Sequence, residues 1–259
     1  LSSRSGSSGP KSGRPIRLSF SKLALYQHCP YAYLLGYVER RRPAFSEWPF
    51  FGSLVHKVLE DLFEHTRRRA ATWHWLRGRY EDRLFSSYGF LLSSEKADFR
   101  ARGLRILRDF WVGHRPAVGH QDLLEKRFRA VVGGFDVSGI IDRIEGRAGR
   151  VRIVDYKSGR PAAGGPDFRQ LEFYALAAAR SLGRKPDLVA YHYLGDNSVH
   201  ERAPAASELS ATEDWARNLG AGIARSDFAP RTGPHCRDCD FYRYCRPGQH
   251  WTGAHGAGA

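Results

Sequence analysis

Residues 135–157 read FDVSGIIDRIEGRAGRVRIVDYK, and this stretch decides the fold. Apolar and polar residues alternate along Phe135–Glu145 and again along Arg150–Tyr156, the period of two that marks strands. Gly146–Gly149 supplies the turn between them. Upstream, Glu125–Val132 has the same period, and Gly133-Gly134 predicts the hairpin turn that joins it to Phe135. Downstream comes a Gly/Pro-rich loop over Ser158–Pro166, a helix from Asp167 to Leu182, and strands near Leu188–Leu194 and Val199–Ala203. A three-strand meander, a crossover helix and a further strand predict an α/β fold: a mixed central sheet flanked by helices.

Working outward, Ser19 to His114 is helical in pattern. Ser19 or Ser21 can cap a first helix carrying Leu23, Leu25 and Tyr26. A second, from Ser53 to Arg69, sets Leu54, Val55, Val58, Leu59, Leu62 and Phe63 on one stripe. Two more are expected near Trp73–Tyr88 and Lys96–Trp111, and one near Ala211–Ala224 leads into a Cys-rich C-terminal loop. Residues 1–15 read as a disordered tail or linker, and 251–259 as a flexible tail. Between the tails, 16–250 is expected to form one domain, with a helical part at 19–114, a core at 121–204 and a cysteine-bearing part at 205–250.

The chemistry concentrates in the central hairpin. Asp142 lies in Gly139-Ile-Ile-Asp142-Arg143, and Asp155 and Lys157 in Ile153-Val154-Asp155-Tyr156-Lys157. Adjacent strands bring the two carboxylates together, and the period of two puts Asp155 and Lys157 on one face. Two carboxylates can hold a hard divalent cation, Mg²⁺ or Mn²⁺, and a lysine beside them can orient a water or stabilise developing negative charge. Asp-x-Lys alone is common and is usually a solvated pair. His56, in Gly52-x3-His56 on the second helix, is a further candidate ligand. Gln170 and Tyr174, four apart on the helix after Asp155-x-Lys157, share a face that can reach the lysine.

The chain carries 41 Lys+Arg against 27 Asp+Glu, a formal charge of +14, and the excess is mostly arginine. That balance favours a polyanionic partner, nucleic acid first. The runs Arg40–Arg42, Arg67–Arg69 and Arg100–Arg108 offer candidate phosphate contacts, with Arg41, Arg42, Arg68 and Arg69 foremost, although such runs are often solvated helix faces. No apolar run is long enough to span a bilayer and no signal-peptide pattern is present, so a cytoplasmic protein with no membrane partner is expected. The chain has no methionine. Leu1 is therefore not a genetic start, and the sequence is either missing its first residue or is a domain cut from something longer.

Four cysteines are present, Cys29, Cys236, Cys239 and Cys245, the last three spaced Cys-x2-Cys-x5-Cys. Three soft ligands within ten residues point to a metal site rather than a disulfide framework. Zinc could use the clustered thiolates with His235, His250 or Cys29, whereas an iron–sulfur cluster would take all four cysteines.

In order along the chain, Ser19–Tyr37 (SFSKLALYQHCPYAYLLGY), Gly52-x3-His56, Gly139-x2-Asp142, Asp155-Tyr-Lys157, Gln170-x3-Tyr174 and the cysteine triplet resemble the RecB-like branch of the PD-(D/E)XK nuclease superfamily. The matching segments run from Ile16 to Arg246. The resemblance implies a restriction-endonuclease-like core and a metal-dependent deoxyribonuclease, an exonuclease acting on single strands or DNA ends in repair or recombination. It implies His56, Asp142, Asp155 and the Tyr156 carbonyl as divalent-metal ligands, Lys157 as the catalytic lysine, and Gln170 and Tyr174 in support. It also implies a [4Fe–4S] cluster on Cys29, Cys236, Cys239 and Cys245, in preference to zinc. The arrangement is similar to AddB nuclease domains and CRISPR-associated adaptation exonucleases. Because the chain has no Gly-x4-Gly-Lys-Ser/Thr, unwinding would need a helicase domain or subunit. The rival reading is a non-catalytic DNA-binding module with a structural iron–sulfur or zinc site.

Overall fold

A computed structural model describes residues 16–87, 91–114 and 122–255. The expected tail at 1–15 and the end of the chain from 256 lie outside the described residues. Five strands form one sheet in the order β1-β2-β3-β4-β5: β1 Leu123–Val132, β2 Phe135–Arg147, β3 Arg150–Lys157, β4 Leu188–Tyr193 and β5 Ser198–Arg202. β2 and β3 are antiparallel, β3 and β4 parallel, and β4 and β5 antiparallel. The parallel β3–β4 pair is the one the crossover helix serves, since a parallel neighbour needs a long return connection. The sheet is therefore mixed and flanked by helices, as the alternating pattern implies.

The helices are α1 Phe20–His28, α2 Pro30–Tyr33, α3 Trp48–Thr66, α4 Trp73–Ser87, α5 Ser93–His114, α6 Arg169–Leu182, α7 Ala206–Ala224 and α8 Arg246–His255. Ser19 caps α1, its hydroxyl accepting from the Lys22 amide at 3.3 Å. α3 begins five residues before the expected Ser53, because Pro49 stands in its first turn, where a missing N–H costs nothing. α7 likewise begins at Ala206 rather than Ala211. β2 continues to Arg147, and the turn into β3 tightens onto Ala148 (φ 48°) and Gly149 (φ 77°), the paired positive angles of a two-residue hairpin. The cysteine-rich stretch is a series of single helical turns, and residues 251–255, expected as tail, belong to α8.

By its contacts the chain divides into two compact units. One takes residues 1–45, 129–138 and 211–259, and the other 46–128 and 139–210. A large core lies in the second unit. There the α3 stripe Leu54, Val55, Val58, Leu59, Leu62 and Phe63 packs with Leu76, Tyr80 and Leu84 of α4, Phe99, Leu107 and Phe110 of α5, and Val154, Tyr156 and Ala190 of the sheet. Truncating one of these leucines to alanine is expected to cost about 2–5 kcal/mol. Among the described residues no helix is long and apolar enough to cross a membrane.

Candidate active site and cysteine cluster

The β2–β3 register pairs Arg143 with Val154, so the next positions along the two strands are Asp142 and Asp155. Strand alternation then separates two faces. Val154 and Tyr156 enter the core beneath α3, α4 and α5. Asp155 and Lys157 take the other face, where α6 lies against β3. From α6, the Gln170 amide donates to Asp155 Oδ1 at 3.1 Å and to the Tyr174 hydroxyl at 2.9 Å, while its Oε1 accepts from Lys157 Nζ at 2.9 Å. Lys157 Nζ also lies 2.7 Å from Asp155 Oδ2 and 5.2 Å from the centre of the Tyr191 ring. The contact to Asp155 lacks hydrogen-bond geometry, so Oδ2 remains a buried carboxylate oxygen with no hydrogen bond among the described residues. Gly139 is bare because any side chain there would run into Phe128, 2.7 Å from where a Cβ would stand, and Phe128 in turn packs edge-on to Tyr174.

From α3, His56 Nδ1 comes within 3.5 Å of Asp142 Oδ2, the same oxygen that accepts the Tyr156 amide at 2.8 Å. A residue given no role from sequence joins them. Glu125, early in β1, offers a carboxylate oxygen that lies within 4.8 Å of ligand atoms of both His56 and Asp142. Its φ of 44° is a left-handed backbone, which non-glycine residues adopt at a cost of order 1–3 kcal/mol. A cavity of about 10 Å³, lined by His56, Glu60, Glu125, Asp142 and Tyr156, separates these groups. The signal in the sequence was faint: one acid in an alternating strand, with nothing to say that the backbone turns it inward.

The electrostatics of this group are unbalanced. Burial first, then the charge of Asp155, pushes the Asp142 carboxyl well above the usual range. Burial and the neighbouring Asp142 and Glu60 raise Glu125 to about 7. Burial lowers His56, leaving a neutral imidazole with a lone pair to offer, and raises the Tyr174 phenol. Crowded carboxylates, half-buried at Glu125 and Asp142 and buried at Asp155, form with a neutral histidine a donor set suited to a divalent cation. Arg143 serves the scaffold instead. It is buried against Phe63 and bridges Asp122 (2.8 Å) and Glu145 (3.2 Å).

The four cysteines lie in the first unit. Cys29, between α1 and α2, and Cys236, Cys239 and Cys245 line one cavity with Ala32, Leu35 and Phe241, and all four are free thiols. The Arg231 amide points at Cys29 Sγ (3.5 Å) and the Gly248 amide at Cys245 Sγ (3.3 Å). Burial raises both the Cys239 and Cys245 thiols, with Cys29 and Cys236 adding to each and Cys245 adding to Cys239. A Cβ on Gly248 would stand 3.2 Å from Cys245 Sγ and 3.5 Å from Cys236 Sγ, so the glycine keeps a cradle open between two sulfurs. His235 reaches this cavity and is held by the Arg231 carbonyl at 3.0 Å, whereas exposed His250 does not line it.

The arginines expected to touch DNA are scattered. Arg41 is paired with Glu39 and lies over Tyr244, and the Arg42 carbonyl accepts from Arg243. Arg68 and Arg69 are exposed and line a cleft of about 630 Å³ with Asp61, His65, Trp75 and Arg79, none of which belongs to the carboxylate site.

A mixed five-stranded sheet bearing paired carboxylates and a lysine on its central hairpin defines the core of a restriction-endonuclease-like protein. The family profile described as the PD-(D/E)XK nuclease superfamily matches residues 17–246, and the chain belongs to that superfamily. Over 179 residues it is 27% identical to one subunit of the ATP-dependent helicase/deoxyribonuclease of Thermoanaerobacter sp. strain X514, a match covering 56% of this chain and 16% of that much longer polypeptide. It is 27% identical over 276 residues to the gene 69 protein of Mycobacterium phage D29, covering 89% of this chain and 96% of the phage protein. The crystal structure of a candidate exonuclease from Eubacterium rectale aligns with a TM-score of 0.54 at 12% identity, over 90% of this chain and 87% of that one, a likeness of fold.

Proposed function

We propose that this protein is a divalent-metal-dependent deoxyribonuclease, an exonuclease that hydrolyses single strands or DNA ends in repair, recombination or a related process. The observation that carries the reading is the group of His56, Glu125 and Asp142, whose ligand atoms lie within 4.8 Å of one another, with Asp155 across the hairpin from Asp142. His56, Asp142, Asp155 and the Tyr156 carbonyl, with Glu125 added, would hold Mg²⁺ or Mn²⁺. Such an ion supplies Lewis acidity toward a phosphoryl oxygen and a water of lowered pKa. Lys157, steadied by Gln170 Oε1 and Asp155, presents Nζ as a hydrogen-bond donor where charge develops on phosphate oxygens. Gln170 spans Lys157, Asp155 and Tyr174, so it fixes the lysine and the carboxylate relative to each other.

The cysteine site supports a [4Fe–4S] cluster on Cys29, Cys236, Cys239 and Cys245, in preference to zinc. All four thiols share one cavity, two receive peptide N–H groups, and a glycine leaves room at the sulfurs. Bound there, a cluster would tie Cys29 to residues ~200 positions downstream, a structural clamp. Partnership with a helicase domain or subunit follows from the likeness to part of a helicase/deoxyribonuclease. The test is anaerobic purification with a visible spectrum, then incubation with 5′- and 3′-labelled single-stranded DNA with and without Mn²⁺. The expected result is a brown protein that cuts only with metal. A protein that binds the strand but leaves it intact under every metal condition overturns the nuclease reading in favour of a binding module.

A further inference from the structure

α3 carries His56 near its middle and, eight residues earlier, an indole that packing does not explain. Trp48 is 61% exposed, although indoles are normally buried for most of their area. Trp48, Gly52 and His56 are four residues apart in succession, so they form one ridge along the helix. The ridge is about 12 Å long, at 1.5 Å per residue. Its middle runs beside the end of β3. A Cβ on Gly52 would meet only Ser158 Oγ, at 3.4 Å, and Ser158 follows Lys157. One end of the ridge is the histidine of the carboxylate site, and the other is an exposed aromatic surface.

That surface has a built backing. The Arg102 guanidinium lies 4.4 Å from the centre of the Trp48 ring and also covers Phe51 and Phe99. Arg102 is itself held by Asp98 and, at 3.8 Å, by Glu47, the residue preceding α3. The indole is thus supported from one side by a fixed cation. The ligand class with both a flat π-face and a phosphate charge suited to a chain of +14 is a nucleotide within a strand.

We propose that Trp48 is a stacking platform for one unpaired base of the DNA strand whose phosphate lies at the His56 end of the ridge. The proposal rests on the nucleic-acid reading above but not on cleavage. Stacking requires an unpaired base, so the platform selects single strands over duplex. Arg102 is a positioning residue that holds the ring, and Gly52 leaves the path between ring and site clear.

The test measures binding of the full chain to a fluorescein-labelled single-stranded oligonucleotide in EDTA, by anisotropy. Trp48→Leu is expected to raise Kd roughly tenfold, the scale of one base–aromatic stack, while Trp48→Phe keeps most of the affinity. The salt dependence of Kd should keep its slope in both variants, because no phosphate contact is removed. An oligonucleotide with abasic positions should bind wild type as weakly as Trp48→Leu binds the normal strand, with no further loss in the variant. Equal affinity of wild type and Trp48→Leu, or equal loss for abasic strands in both, overturns the platform. Wild type that binds in this stacking-dependent way yet never cuts with metal leaves the platform standing and removes the nuclease instead. Wild type that cuts while Trp48→Leu binds normally does the reverse.

Discussion

The two candidate sites are built on opposite plans. Asp142, Asp155 and Lys157 are fixed by strand register, and Gln170 joins Asp155, Lys157 and Tyr174 through hydrogen bonds of 2.9 to 3.1 Å. The scaffold around them is ordinary apolar core, so the site exists before any cation arrives. Cys29 and the triplet Cys236, Cys239 and Cys245 instead meet among short helical turns, with a small apolar patch of Ala32, Leu35 and Phe241 around them. Such a region gains little from burial, and a group held by its sulfurs would add what packing does not. In the first case the fold makes the site, and in the second, on the proposed cluster, the site would make the fold.

The largest expected effect tests the first half of that contrast. Asp155→Ala should lower metal-dependent cleavage at least about a hundredfold, since it removes both a proposed ligand and an anchor of Lys157. The thermal midpoint should hold or rise, because the variant relieves the repulsion that pushes Asp142 upward. Loss of folding in circular dichroism would show that the carboxylates are structural, and the contrast between the sites would fail. Cys29→Ser tests the second half. It should abolish the visible absorbance and lower stability by several kcal/mol through loss of the metal clamp. A colourless wild type melting together with the variant would reduce the cysteines to packing.

A third effect is set by pH. His192, buried beside Phe110 and Tyr156 and bonded to Asn197 at 3.0 Å, is lowered by burial to about 4. Its folded pKa lies below the unfolded value near 6.5, so its contribution is complete above that value and is lost as pH falls toward 4. The full shift corresponds to roughly 3 kcal/mol. His114, 4.2 Å away and also lowered, acts in the same direction. Glu125 and Asp142 are raised and act oppositely, losing stability as pH rises. The wild-type slope is therefore a difference, and His192→Gln isolates one member. Urea denaturation of the two proteins between pH 4 and 7 should show the variant with the weaker gain on going from acid to neutral. Parallel curves would show that His192 binds its proton alike in the folded and unfolded states.

The two plans also explain what the sequence could reveal. Register carries over a short distance, so the alternation in FDVSGIIDRIE and RVRIVDY is enough to align Asp142 with Asp155 and to place Lys157 two steps on. The spacing of Gln170 and Tyr174 fixes a shared helix face but not its target, which the loop before α6 decides. The cysteine spacing raises the expectation of a metal, while the meeting of Cys29 with the triplet depends on contacts some two hundred residues apart that no local pattern encodes. Arg68 and Arg69, in the turn after α3, line a cleft apart from the carboxylates, and a charge run does not say where such a turn points. The exposed Trp48 was hidden for a plainer reason. The amphipathic stripe of α3 begins at Phe51, and the turn before it carries no periodic signal.

Glu125 is the smallest of these effects and the most direct probe of how far the sheet prebuilds its site. A glutamate held at φ 44° within a strand is strained unless something offsets the cost, and the Lys57 charge only partly balances its burial beside Asp142 and Glu60. If that something is a bound divalent ion, Glu125→Gln keeps the shape while withdrawing a charge, and the metal concentration for half-maximal cleavage should rise about tenfold. At saturating metal the rate should recover. Without metal the same variant should be slightly more stable at pH 8, because a carboxylate raised to about 7 is ionised there against the repulsion of Asp142 and Glu60. A variant with unchanged metal dependence but lower stability would make Glu125 a brace for the bend in β1. The metal would then rest on His56, Asp142 and Asp155, the three side chains whose positions follow from helix stripe and strand register.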